Sequence, residues 1–157
     1  MTEQLWHTGR VKTEQGLVAW PAMNRRDAEK LPAMRTEFGV IDFLFAAGSL
    51  TIDGIPFRVC VRAPHKGQFG RCRVMLAISP GFLAVDPGAV WGQREEALIL
   101  GLFQKHLGSA TPRHWRPWGE IQMLHDYKSS GEPFIWLVYR SRLIGWTRFA
   151  WHVLTGR

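Results

Sequence analysis

The sequence predicts an α+β fold: a largely antiparallel sheet of about six strands, one long amphipathic helix packed on one face, and a short N-terminal helix. Two patterns favour this class. Several segments alternate apolar and polar residues with a period of two, as half-buried strands do. One segment, from about Gly92 to Gly108, instead repeats its apolar residues at helical spacing. Neither Gly-rich phosphate fingerprint appears, which disfavours a nucleotide-binding crossover fold.

The length and composition suit one domain. The 157 residues contain no internal repeat and no linker that would divide them. Hydrophobic residues make up 46% of the chain, which is enough to fill a core, and the charged content of 21% is too ordinary for a disordered chain. We expect a single domain over residues 1–157, with residues 1–22 at its periphery and Trp6 and Trp20 packed against the rest.

The sequence favours a reduced, cytoplasmic protein. Its N-terminal segment has no apolar run of signal-peptide length. The most apolar window, Phe134 to Leu154, contains three arginines, each costing about 2.5 to 3.5 kcal/mol near a bilayer centre. Cys60 and Cys72 provide neither a disulfide framework nor metal-ligand spacing. We therefore expect no membrane span, no metal and no cofactor.

The positive charge is large and unevenly placed. The net charge is +7, and the segment from Arg58 to Arg73 contains five basic residues and no acid. From Tyr139 onward there are four arginines, again without an acid. Such a balance fits nucleic acid, an anionic membrane or an acidic protein surface as partner. Solubility alone can also produce it, so the charge indicates a site only where the fold gathers it on one surface.

Local signals define the elements of the N-terminal half. Asn24 is a suitable N-cap for a short helix over Arg25 to Leu31. The apolar run at 40–47 predicts a buried strand. Asp53 and Gly54 follow between apolar flanks and indicate a hairpin turn, because glycine tolerates the positive φ that a type I′ turn requires.

Two consecutive strands carry the basic cluster. Residues 56–63 and 71–78 both alternate apolar with basic or small side chains. If both apolar sets face the core, the expected register places Val61 opposite Cys72, and Val59 opposite Val74. Arg62 then lies opposite Arg71.

Like charges directly across an antiparallel pair cost roughly 0.2 to 1 kcal/mol, so such a pair favours a neighbouring anion. A register shift of two residues would keep the faces and separate Arg62 from Arg71. In either register the strand arginines share one face, and Lys66 lies on the adjoining loop. The expected members of this face are Arg58, Arg62, Arg71 and Arg73. We predict that it binds an anion, and the alternative is a solvated strand end.

The long helix is predicted over 93–107, with Gly108 as its C′ residue. Its apolar stripe is expected to face the core: Ala97, Leu100, Phe103 and Leu107. A loop is predicted at 79–92, and residues 120–127 and 132–140 predict two strands around a KSSGE turn.

The segment from Gly145 onward alternates apolar Phe149, Trp151 and Val153 with other residues, which favours a last strand. The alternative is an amphipathic helix that lies in a membrane interface. Ile144 and Trp151 would then fall near its polar side, which argues against that alternative.

Residues 112–120, PRHWRPWGE, predict a stiff connector because two prolines keep the segment extended. Arg113, Trp115 and Arg116 on this connector are candidate contacts for single-stranded nucleic acid, which uses aromatic faces beside arginines. Trp118, just before a strand, is expected to cover the core instead.

Catalysis is the weaker interpretation. His65, His114 and His125 lie in or beside predicted loops, where a metal-independent ribonuclease could keep an acid and a base. His114 lies between Arg113 and Arg116, which could stabilise a developing phosphorane. No Ser-His-Asp or Cys-His constellation can be identified from spacing.

The sequence therefore predicts a non-enzymatic accessory protein that binds nucleic acid, with RNA or single-stranded DNA favoured. The expected contacts are Arg58, Arg62, Lys66, Arg71, Arg73, Arg113, Trp115 and Arg116. A second hypothesis is an adaptor or inhibitor that binds an acidic surface of a protein partner. A third is the small metal-independent ribonuclease.

Overall fold

The computed structural model describes residues 3–83, 92–125 and 132–155. The helices in these ranges are α1 (Glu3–Thr8), α2 (Arg25–Ala28), α3 (Gln93–Leu107) and α4 (Arg142–Thr155). The strands are β1 (Val11–Thr13), β2 (Gly16–Ala19), β3 (Ala33–Thr36), β4 (Gly39–Ile52), β5 (Ile55–Arg62), β6 (Arg73–Ile78), β7 (Arg113–Arg116), β8 (Gly119–His125) and β9 (Pro133–Tyr139).

The α+β class is confirmed. Seven strands form one antiparallel sheet in the order β3-β4-β5-β6-β9-β8-β7, and β1 and β2 form a separate hairpin. The sequence indicated about six strands and one long helix, so it missed the short strands and the second long helix. The loop predicted at 79–92 and the KSSGE turn lie mostly outside the described residues.

One face of the sheet forms the core with α1, the β1–β2 hairpin and α3. Trp6 of α1 is fully buried, with its ring edge-on to Phe103 at a centroid distance of 6.1 Å. Val11 and Val18 of the hairpin are buried beside it. Residues 3–22 therefore contribute more to the core than the sequence indicated.

The predicted turn between β4 and β5 is confirmed. Asp53 and Gly54 both have positive φ, at 50° and 83°, as a type I′ turn requires. The Asp53 carboxylate accepts hydrogen bonds from Lys105 Nζ and His106 Nε2, each at 2.8 Å. These bonds lower the pKa of Asp53 and tie the turn to the C-terminal end of α3.

The long helix has its predicted bounds, but its buried stripe differs. Gly108 follows it with φ of 87°, as expected of a C′ glycine. Ile99, Leu102 and Phe103 are buried, whereas Ala97 is exposed. The prediction counted only apolar residues, whereas the buried side of the helix also includes a polar residue, His106. The His106 ring stacks on Trp6.

The prediction that residues 112–120 form a connector is wrong. These residues form the edge strand β7, a turn at 117–118 and the start of β8. An extended proline-flanked segment satisfies its backbone best by pairing with a neighbouring strand. Trp118 is buried as expected, with its ring 5.7 Å from that of Tyr139.

The predicted last strand is also wrong, because residues 142–155 form α4. Both sides of β9 are already paired, with β6 and β8, so a following strand could join only at an edge of the sheet. The chain instead forms a helix that contacts β7 and the start of β8. Gly145 lies so close to the β7–β8 turn that an added Cβ would clash with the carbonyl oxygen of Pro117.

Gly145→Ala is expected to lower the free energy of unfolding by about 1 to 3 kcal/mol, because the new methyl must displace backbone at the α4 contact. Gly101→Ala is the matched control in α3, where an added Cβ meets nothing within 4 Å. That change should raise stability by up to about 1 kcal/mol through helix propensity. Urea unfolding of both variants checks the prediction, and equal stabilisation by the two alanines would contradict it.

Candidate anion-binding site

The sheet face opposite the core carries a line of side chains across five strands. In order along the line the directly opposed residues are Arg62, Arg73, Val138, Glu120 and Trp115. Arg113 and Arg140 approach Glu120 from either side. We call the four arginines grouped around Glu120 the arginine cluster: Arg62, Arg73, Arg113 and Arg140.

The predicted register of the two basic strands is wrong by two residues. Val61 lies opposite Val74, and Arg62 therefore lies opposite Arg73. The shift arises because Cys72 leaves the ladder and donates its backbone N–H to the Met23 carbonyl at 3.0 Å. The faces are unchanged, as expected, but the shift creates a different like-charge pair.

Arg71 does not join the cluster as a free cation. It precedes β6, and its Nη1 donates to the carbonyl oxygens of Pro21 at 2.8 Å and Arg140 at 2.7 Å. This guanidinium ties the loop after β2 to the end of β9. Its role in the described structure is architectural.

Glu120 is the acid at the centre of the cluster, and its side chain is fully buried. Arg113 Nε donates to its Oε1, and Arg140 Nη2 lies 3.7 Å from its Oε2. In the residues described, no acid lies within 4 Å of the guanidinium of Arg62 or Arg73. Four positive charges therefore share one negative charge.

The excess charge is visible in the electrostatics of Arg73. Burial lowers the pKa of its guanidinium, and the nearby positive charges of Arg62 and Arg140 lower it further. Glu120 acts in the opposite direction but has the smallest effect among these groups. The surroundings of Arg73 thus disfavour its charged form. An anion bound beside it would favour the charged form instead.

Arg62 is held in place by an aromatic neighbour. Its guanidinium carbon lies 5.3 Å from the centre of the Phe43 ring, and the His65 ring contacts the same phenylalanine at 4.6 Å. Arg58 lies on the same face, opposite Ala77. Holding the guanidinium in one place reduces the entropy lost when an anion binds.

The candidate nucleic-acid contacts at residues 113–116 lie on two different sides of β7. Arg113 and Trp115 lie beside the cluster, and the guanidiniums of Arg113 and Arg148 each lie 5.9 Å from the Trp115 ring centre. Arg116 alternates to the other side of the strand with His114, and burial lowers its pKa. Trp115 is thus already engaged by arginines within the protein, and Arg116 is not part of this surface.

Two residues of the site were missed. Arg140 reaches the cluster only because β9 pairs with both β6 and β8, a non-local arrangement with no sequence signal. Phe69 lies in the loop between β5 and β6 with its side chain fully exposed, near Lys66, which is also exposed. An aromatic residue within the polar run KGQFGR was the signal that could have identified it.

The three candidate catalytic histidines lie in different surroundings. His114 is buried, its ring edge-on to Phe103 at 5.2 Å and its Nε2 3.3 Å from Thr111 Oγ1. His65 contacts Phe43, and His125 Nε2 lies 3.7 Å from a Glu96 oxygen. A buried imidazole on the core side of β7 does not reach a substrate on the opposite face.

The burial of His114 predicts acid sensitivity. Burial lowers its pKa below the usual 6.5, so the unfolded chain takes up a proton that the folded chain does not. Stability should therefore fall as pH decreases below 6.5, by up to about 1.4 kcal/mol per pH unit from this group.

Urea unfolding between pH 7.5 and 5 would measure this effect. His114→Gln should have a shallower pH slope than the native chain, and His65→Gln, which changes an exposed histidine, should retain the native slope. Parallel slopes for the native chain and His114→Gln would contradict the prediction.

Neither metal nor thiol chemistry is indicated in the described ranges. No group of three or more His, Cys, Asp or Glu side chains there could hold a metal ion. Cys60 and Cys72 are both buried free thiols. Burial raises the pKa of Cys72 to about 12, so it is not a thiolate nucleophile at neutral pH.

No family model matches this chain, and no curated protein or solved structure matches it significantly.

Proposed function

We propose that this protein binds single-stranded nucleic acid through the arginine cluster and the adjoining loop at 63–72. The observation that carries the proposal is the direct opposition of Arg62 and Arg73 on adjacent strands. A like-charge pair of this kind costs roughly 0.2 to 1 kcal/mol in the free protein. A phosphate bound between the two guanidiniums would remove that cost and gain charge-assisted hydrogen bonds.

The preference for single strands rests on Phe69. Its ring is fully exposed in a loop that also carries Lys66 and that joins the two strands of Arg62 and Arg73. An exposed aromatic ring beside cations can stack an unpaired base, which is worth roughly 1 to 3 kcal/mol. Paired bases in a duplex cannot offer the same face, so duplex DNA should bind less tightly.

The other two hypotheses make different predictions. An adaptor would use the same arginines on the acidic surface of one protein partner, and it would have no general affinity for nucleic acid. A metal-independent ribonuclease would cleave RNA without added metal and would lose activity on changing His114 or His65. The burial of His114 gives no support to that role.

Fluorescence anisotropy with labelled single-stranded RNA, single-stranded DNA and duplex DNA tests the proposal. We expect micromolar or tighter binding of both single strands at low salt, with weaker binding of the duplex. Absence of binding at low salt would reject the proposal and favour the acidic protein partner. A signal that falls with time on RNA alone would indicate cleavage.

Phe69→Ala is expected to weaken binding of single strands by about 1 to 3 kcal/mol, with little change in duplex binding. The free energy of unfolding of this variant should equal that of the native chain, because the Phe69 side chain is fully exposed. Phe82→Ala is the matched control, since Phe82 is an exposed phenylalanine that follows the opposite end of β6. Equal effects of the two substitutions in the anisotropy titration would contradict a stacking role for Phe69.

A further inference from the structure

Helix α4 exposes large apolar side chains to solvent over its whole length. The exposed fractions are 76% for Leu143, 49% for Ile144, 55% for Trp146, 62% for Trp151, 64% for Val153 and 82% for Leu154. Isolated exposed apolar residues are ordinary, but a continuous patch of this kind marks an interaction surface. We call these six residues the α4 apolar face.

The helix contacts the rest of the protein along one narrow side. Gly145 is buried against the β7–β8 turn, and Phe149 and His152 are half-buried on the same side. Ile144 and Trp151, which the sequence assigned to a polar side, are exposed and lie roughly a third of a turn from the contact with the sheet. The objection to an interfacial helix therefore does not hold for the folded protein.

Both threonine hydroxyls of α4 are satisfied within the helix. The Thr147 hydroxyl lies within hydrogen-bond distance of the carbonyl oxygens of Leu143, at 3.0 Å, and Ile144, at 3.1 Å. The Thr155 hydroxyl donates to the Trp151 carbonyl at 2.8 Å. A hydroxyl that is already hydrogen-bonded within the protein costs little free energy when it moves from water into an apolar environment.

The charges around the α4 apolar face are positive. The sequence contains no acid after Glu132, and Arg148 of α4 lies over Trp115 at the edge of the sheet. Arg140 precedes the helix by two positions and belongs to the arginine cluster. An occupant of this surface should therefore combine an apolar layer with negative charge at its border.

We propose that α4 docks the protein onto an anionic lipid surface, with the helix lying in the plane of the interface. Its apolar face would enter the boundary of headgroups and acyl chains, and the neighbouring arginines would contact lipid phosphates. Trp146 and Trp151 supply the side chains most typical of that boundary. No helix in the described ranges is long and apolar enough to cross a membrane, so α4 is expected to lie on the bilayer.

Sedimentation with lipid vesicles tests this inference. The native chain should bind vesicles with about one third phosphatidylserine and bind pure phosphatidylcholine vesicles at least about tenfold more weakly. Trp151→Glu should reduce binding to the anionic vesicles by about tenfold or more. Leu17→Glu is the matched control, because it makes the same charge change at an exposed apolar residue of β2, and it should leave binding within about twofold of native.

A second variant guards against misfolding. Leu154→Glu changes the most exposed member of the α4 apolar face and should reproduce the effect of Trp151→Glu with a native circular dichroism spectrum. Absence of native binding to anionic vesicles, or equal losses in Trp151→Glu and Leu17→Glu, would overturn the proposal. A dimer that Trp151→Glu dissociates in light scattering would overturn it as well and assign the face to a second copy.

The nucleic-acid proposal is independent, because both glutamate variants should keep the native affinity for single strands.

Discussion

Glu120→Gln is expected to lower the free energy of unfolding by about 2 to 4 kcal/mol. Glu120 is fully buried and provides the negative charge that Arg113 and Arg140 contact. Glutamine has nearly the same shape, so the substitution removes the charge without leaving a cavity. The four arginines of the cluster would then repel one another without compensation.

Chemical unfolding of the native chain and Glu120→Gln measures this effect, with Glu37→Gln as the control at an exposed acid in the β3–β4 turn. Added salt or inorganic phosphate should restore part of the stability of Glu120→Gln, because either one screens or binds the exposed cations. A loss below about 0.5 kcal/mol in the Glu120 variant, comparable with an ordinary surface change, would show that the carboxylate does not hold the cluster together.

Arg62→Gln/Arg73→Gln is expected to separate stability from binding. Removing the opposed charges should leave stability unchanged or raise it by up to about 1 kcal/mol, because the repulsion between the strands is lost. The same change should weaken binding of single-stranded RNA by about 2 kcal/mol or more, which is about thirtyfold in Kd. A purely architectural role for these arginines predicts a loss of stability instead.

Arg10→Gln/Arg26→Gln removes the same two charges from exposed positions outside the cluster and is the matched control. It tests whether net charge alone determines affinity. If the two double variants weaken RNA binding equally, the affinity comes from the overall charge of +7 and not from the opposed pair. Anisotropy and urea unfolding on the same samples give both readouts.

The parts of the fold that the sequence predicted correctly depend on local chemistry. Asp53 and Gly54 make their turn because of their own backbone preferences, and the turn is found where it was expected. Asn24 caps its helix through a reciprocal pair of hydrogen bonds with Asp27, each of 3.2 Å. The period-two alternation also assigned Arg58, Arg62 and Arg73 correctly to one side of the sheet.

The errors depend on non-local contacts. The register of β5 and β6 differs from the predicted one because the backbone N–H of Cys72 donates to the carbonyl of Met23, which is distant in the sequence. The segment after Gly145 was misread as a strand because apolar side chains occupy most of its exposed positions, so alternation and helical spacing both fit it. The contact of Arg140 with Glu120 follows from strand order, which no single segment encodes.

The salt dependence of single-stranded RNA binding by the native chain and by Arg62→Gln/Arg73→Gln tests directly whether the opposed arginines bind phosphate. If the opposed arginines each neutralise a phosphate, log Kobs against log salt should be shallower for the variant, by about 1.4 in slope. We expect this difference together with a lower affinity of the variant at every salt concentration. Two parallel lines, or no binding by the native chain, would contradict it.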